Sequence, residues 1–197
     1  MRLFHCLPAL GLALALAACA PQYQHPTEPP RPVSPQPAAT QLSPGLKPIY
    51  FVGELEHVNN MPRNAEELSK GRPGQPILQL NLATGGAMWD SQRVENYYIH
   101  MTGLIQLEAG VYKFAAISND GLRITVDKTR IVDDPYVHAN QLSPLTEVTI
   151  SETGWYPIVV QYFQKRGTAS LQFQYQPPGA GGLMPVPAAV FAHIPGQ

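Results

Sequence analysis

From residue 48 onward, apolar and polar side chains alternate with a period of two, the pattern of strands that have one face in a core and one in water. The clearest stretch sets Leu171, Phe173 and Tyr175 on one face against Gln172, Gln174 and Gln176 on the other. Comparable alternations, or β-branched and aromatic runs, occur at 48–52, 77–82, 97–107, 111–117, 122–126, 146–150 and 155–163. Turn residues separate them: Glu108-Ala109-Gly110, Asn119-Asp120-Gly121, Glu152-Thr153-Gly154 and Lys165-Arg166-Gly167. Many short strands with glycine-bearing turns predict an all-β fold, an antiparallel sandwich or barrel. Helix is expected only as one short piece at 64–70.

Residues 1–44 break the pattern. Residues 1–18 carry one positive charge, Arg2, and then a run of Leu, Ala and Gly, the layout of a secretory signal peptide and shorter than the roughly 20 residues of a spanning helix. The run closes as Leu16-Ala17-Ala18-Cys19, which resembles the bacterial lipobox. That resemblance implies an acylated Cys19 at the front of the mature chain and a membrane as its partner; the alternative is a plain small-residue cleavage site followed by an unrelated cysteine. Ala20 follows in place of an aspartate, so in a Gram-negative cell the expected location is the outer membrane within the cell envelope. Nine of the 21 prolines fall between 20 and 48 and deny that stretch both helix and central-strand pairing. Residues 19–44 are expected to form a disordered, proline-rich tether, with the Pro29 to Pro32 spacing as a rival polyproline ligand. The folded domain is expected over 45–197.

Composition narrows the function. A chain of 197 residues with 13 basic and 14 acidic side chains has no net field to hold nucleic acid. Its two cysteines, both near the N-terminus, exclude a disulfide framework and a multi-cysteine metal centre. The six histidines are dispersed, and no His-Glu-x-x-His spacing, nucleophile elbow or P-loop occurs. No catalytic constellation is present, and the expectation is a non-enzyme.

Five short stretches in order resemble a known family: Gly45-Leu46-Lys47-Pro48-Ile49-Tyr50-Phe51-Val52-Gly53, Ile99-His100-Met101-Thr102-Gly103-Leu104-Ile105, Ala109-Gly110-Val111-Tyr112-Lys113-Phe114, 118–127 around Asn119-Asp120-Gly121, and Gly154-Trp155-Tyr156-Pro157-Ile158. Together they are similar to a PA14 domain, a β-barrel or sandwich found in adhesins and glycosidases. In sugar-binding members, two successive aspartates joined by a cis peptide hold a calcium ion that ligates sugar hydroxyls. The matching positions are Asn119 and Asp120, where an amide replaces one carboxylate. Amide oxygens can ligate calcium, but the lost charge weakens a site that depends on charge count. Calcium is therefore a candidate ion at Asn119 and Asp120, and no cofactor is required. The competing reading is a plain hairpin turn, since Asn, Asp and Gly tolerate left-handed backbone angles.

Asp133-Asp134-Pro135 forms a second acidic pair. By the resemblance it lies near the glycan loops, so Asp133, Asp134, Tyr136 and His138 join Asp120 as candidate contacts; the competing reading is a solvated Asp-Pro turn. Neighbouring carboxylates on one loop lack the opposed spacing that acid–base catalysis requires. Exposed aromatic side chains at Trp89, Tyr136 or Trp155 would favour a sugar ligand, whereas Tyr112, Phe114, Tyr162 and Phe173 read as core. Glu54, Glu56 and His57 read as surface, with the two glutamates on one face. Two functions stay open: a lipid-anchored module that binds cell-envelope or extracellular polysaccharide, and a scaffold lipoprotein that contacts another envelope protein.

Overall fold

The computed structural model describes residues 28–196 and, as backbone alone, Tyr23–Gln24. The signal-peptide and Cys19 expectations lie outside the described residues. Fifteen strands are present among the described residues: β1 Tyr23–Gln24, β2 Ser43–Pro44, β3 Lys47–Val52, β4 Arg72–Pro73, β5 Asn81–Thr84, β6 Tyr97–Leu107, β7 Gly110–Asn119, β8 Leu122–Val126, β9 Thr129–Asp134, β10 Gln141–Leu142, β11 Leu145–Ile150, β12 Gly154–Gln164, β13 Ala169–Gln176, β14 Met184–Pro185 and β15 Phe191–His193. They form two sheets, one ordered β1-β11-β7-β13-β14 and the other β2-β15-β6-β12-β8-β9, with β3 sharing an edge of β6. Every pairing is antiparallel except that of β1 with β11. The all-β expectation holds. The run at 77–82 is the partial exception: only Asn81–Thr84 is strand, and Ile77 makes one isolated bridge to Leu46. The helix shrinks to Ala65–Leu68, started by Asn64, whose side chain accepts the Glu67 N–H.

The period-two pattern places the core between the sheets. Tyr112, Phe114, Phe173 and Phe191 are buried and form a chain of ring contacts, with centroids 5.5 Å apart for Tyr112–Phe114, 5.9 Å for Phe114–Phe173 and 6.5 Å for Phe173–Phe191. Burying each such side chain contributes roughly 1.5–3 kcal/mol. These rings, with Tyr97, Tyr156 and Tyr162, lie in the core, as the sequence suggests for Tyr112, Phe114, Tyr162 and Phe173.

The register defines two ends of the sandwich. β3 and β9 finish, β6 and β13 begin, β12 finishes, and the β7–β8 turn sits at the same end, since Val52 pairs with Tyr97, Gln164 with Tyr97, Asp134 with Leu122 and Ser170 with Asn119. The loops that follow those strands therefore converge there. The β8–β9 turn at 127–128 and the start of β12 lie at the opposite end.

The proline-rich stretch does not stand free of the domain over its described part. β1 lies along β11, and Thr129 Oγ1 donates to the Glu28 carbonyl at 2.9 Å. Val33 N–H donates to the Trp155 carbonyl at 2.9 Å, and Gln36 both accepts the Trp155 N–H (2.7 Å) and donates to its carbonyl (3.2 Å). β2 then joins β15. The expectation of a disordered tether through residue 44 is corrected on this point. Proline removes donors only at its own positions, so the residues between the prolines still pair with sheet edges.

Candidate functional site

The convergent loops are tied together by one carboxylate. The β7–β8 turn brings Asp120 inward, where it is 3% exposed. Its Oδ2 accepts the backbone N–H groups of Lys165 (2.7 Å) and Arg166 (3.3 Å), and its Oδ1 accepts that of His138 (3.2 Å). A buried ion must be hydrogen-bonded, and three amide donors from two other loops meet that demand. Asp120 thereby holds the 135–140 loop and the 164–168 turn against its own hairpin. The Asn119–Asp120 peptide bond is cis. Neither residue of that pair, nor Gly121, has a positive φ, so left-handed tolerance is not what the turn uses. Glycine at 121 answers close approach: a Cβ there would stand 2.2 Å from the Phe163 ring and 2.9 Å from the Pro135 carbonyl oxygen.

Gln164 completes the clamp. It is 1% exposed, its Nε2 donates to the carbonyls of Arg166 (2.7 Å) and Gly167 (3.2 Å), and its Oε1 lies 2.7 Å from the Tyr162 hydroxyl. That hydroxyl also reaches the Asn119 carbonyl. Burial, then the neighbouring Tyr97, pushes the Tyr162 pKa well above the usual tyrosine value, so the group remains a donor.

A calcium ion takes roughly six to eight oxygens, and few of the oxygens at this turn are free of hydrogen bonds. The Asp120 oxygens already accept three N–H groups, and the turn carbonyls of Arg166 and Gly167 face the Gln164 amide. The one oxygen of the pair left buried without a partner is Asn119 Oδ1. Among the described residues, no three His, Cys, Asp or Glu side chains gather closely enough to hold a metal.

The second acidic pair splits across the strand. Asp133 accepts from Arg123 Nε at 2.7 Å and Arg130 at 3.2 Å, so it is a cross-strand ion pair on the sheet surface. Asp134 points the other way, to His138 Nε2 at 3.3 Å and Gln141 Nε2 at 3.1 Å, beside the Asp120 clamp. Tyr136 is 62% exposed at the tip of that loop. Its ring meets His57 edge-on with centroids 4.6 Å apart, and the two residues form a backbone bridge. The structure thus brings Asp120, Asp134, Tyr136 and His138 to one end and turns Asp133 away. Trp155 lies at the opposite end under the proline-rich stretch, and Trp89 packs against the core.

Glu54 and Glu56 do share a face: both reach Lys165 Nζ, Glu54 at 3.0 Å. Hydrogen bonds to Glu56 and then Glu54 raise the Lys165 pKa, and the same ammonium lowers that of Glu54. The alternation Glu-x-Glu carried this pairing in the sequence, but nothing in the sequence singled out Gln164 or the His57–Tyr136 contact.

The sequence profile described as the PA14 domain matches residues 86–187, just over half of the chain. No curated protein matches the chain. Solved structures similar to it include the PA14 domain of the MpAFP antifreeze protein (16% identity, TM-score 0.61, covering 82% of this chain and 96% of that one). The PA14 sugar-binding domain of an RTX adhesin is similar at 17% identity and TM-score 0.61, over 76% of this chain and 98% of that one. The A domain of epithelial adhesin 9 from Candida glabrata, in complex with Galβ1-4GlcNAc, is similar at 12% identity and TM-score 0.61, over 85% of this chain and 97% of that one.

Proposed function

The chain belongs to the PA14 domain family, and from that premise we propose that it is a non-catalytic glycan-binding module whose ligand end is the loop cluster around Asp120. The observation that carries this reading is the way one buried carboxylate pins two further loops and leaves Tyr136 exposed at their tip. Holding loops rigid before a ligand arrives lowers the ordering cost of binding, and an exposed tyrosine offers an apolar face to a sugar ring. Of the proteins that share the fold, one is a sugar-binding domain of an RTX adhesin and another was solved with a galactose-containing disaccharide. Recognition in this chain proceeds through side chains and backbone rather than through calcium, a reading supported by the three backbone N–H groups that Asp120 already accepts.

The module is held at a membrane of the cell envelope, the outer membrane in a Gram-negative cell, through an acylated Cys19. Two or more acyl chains anchor stably where one binds reversibly. Cys19 stands four residues before β1, so the anchor would keep the domain close to the lipid.

A glycan array probed with the domain tests the function. Binding that Tyr136→Ala weakens, and that a chelator leaves unchanged, supports it. A protein that binds no glycan yet captures one envelope protein supports the scaffold reading instead. Cys19→Ser tests the anchor: lipid labelling should vanish while the folded domain persists.

A further inference from the structure

We infer that a groove beside the loop cluster is a subsite for a uronate-bearing, acidic polysaccharide. The inference rests on the glycan-binding reading and names the class of sugar. Two recesses of about 490 and 650 Å³ share Phe51, Tyr98 and Lys70, and so form one continuous groove along the end of β3 and the start of β6. Its floor is the half-buried Tyr98 ring, against which the buried Phe51 stacks with ring centroids 4.9 Å apart and planes 6° from parallel. A Cβ at Gly53 would stand 3.2 Å from Cε1 of Tyr98, so glycine there keeps the half-buried tyrosine ring uncrowded.

The walls are basic. Arg63 and Lys70 line one recess, and Lys70, Arg72 and Arg93 line the other, all exposed. Four of the chain's 13 basic residues thus border one groove in a protein whose formal net charge is −1. Their present partners orient them without burying them. Arg72 pairs with the half-exposed Asp90 at 2.8 Å and lies over the Tyr50 ring, Lys70 pairs with Glu66 at 3.6 Å, Arg93 Nε donates to the Glu95 carbonyl at 3.3 Å, and Arg63 donates to the Asn59 carbonyl. Glu67 is the acidic side chain among the lining residues.

The wall that carries Arg93 is strained. Trp89, Gln92 and Asn96 have φ of 45°, 59° and 55°, three of the four non-glycine residues with positive φ among those described. Such conformations cluster where function fixes a loop.

An aromatic floor accepts the apolar face of a pyranose ring, and cations at the rim accept a charge on the edge of that ring. A carboxylate at C5 meets both requirements at once, and planar guanidinium groups match its two oxygens. A neutral sugar would leave Arg63 and Arg93 with backbone carbonyls as their side-chain partners.

The test is titration of the full chain carrying Cys19→Ser, which removes the lipid, with hexagalacturonate and with its fully methyl-esterified, uncharged form. The acid should bind at least about tenfold more tightly than the ester. Its affinity should fall as salt rises from about 50 to about 500 mM. Lys70→Gln/Arg93→Gln, two exposed sites outside the core, should weaken the acid about tenfold, leave the ester unchanged and keep the melting temperature. Equal binding of acid and ester, or an unaffected double variant, overturns the groove while the glycan function stands. Failure to bind either oligosaccharide or any sugar on the array overturns both. Tighter binding to phosphatidylglycerol vesicles than to hexagalacturonate, lost in the double variant, overturns the sugar assignment in favour of a lipid head group.

Discussion

Removing the Asp120 carboxylate should loosen the whole ligand end. Asp120→Ala leaves the backbone N–H groups of His138, Lys165 and Arg166 without their acceptor at a position that is 3% exposed. Hydrogen bonds to a charged group contribute about 1.5–3 kcal/mol each, and two of these three are long, at 3.2 and 3.3 Å. Water entering the opened loops recovers part of the loss, so the net destabilisation is set at about 3–4 kcal/mol, against a typical total of roughly 5–15 kcal/mol. Asp120→Asn keeps one acceptor oxygen and should cost about half as much. Urea unfolding reads the magnitude, and amide hydrogen exchange reads the location: the amides of 138, 165 and 166 should lose protection ahead of those in β6 and β12. A loss below about 1 kcal/mol, or unchanged protection at those amides, would refute the clamp.

Three further outcomes follow from individual residues. His100, 7% exposed in β6 with no partner for Nδ1, has its pKa lowered by burial from 6.5 to about 4. The unfolded chain takes up that proton first, so stability is full above pH 6.5 and falls by about 3 kcal/mol on the way to pH 4. His100→Leu should flatten this part of the profile, and parallel wild-type and variant curves would contradict the burial argument. A calcium chelator should leave the melting temperature unchanged, because the clamp is made of amides; a drop of several degrees would restore calcium to the turn. Gly121→Ala should cost about 1–3 kcal/mol, since its Cβ would meet Phe163 at 2.2 Å; thermal unfolding at wild-type temperature would contradict the close approach.

The strands were legible because their two-residue period reports directly on which face is buried. β6 and β8 have the bounds expected from the sequence, β11, β12 and β13 extend the expected runs by a residue or two, and β7 by three. Proline content misled at 28–44, because composition registers missing donors but not the sheet edges that take up the remaining ones. The candidate site was half legible. Turn chemistry and the family resemblance pointed to Asn119 and Asp120, and the exposed Tyr136 was among the expected aromatics. What Asp120 binds was hidden, since its partners are main-chain amides 18, 45 and 46 residues away, and a backbone N–H has no sequence signature. The parting of Asp133 from Asp134 follows from strand alternation once β9 is known to run through both. Gln164 is a polar side chain at the end of an apolar strand, and only the fold reveals the two carbonyls it joins.

The claim that the Asp120 end receives a glycan is tested most directly by mapping backbone amide shifts in ¹⁵N-labelled protein, titrated with the best sugar from the array. The shifts should concentrate at 119–121, 135–141 and 164–168, with Tyr136 among the largest. Shifts confined to the β8–β9 turn and the start of β12, or no shifts at saturating sugar, would contradict it.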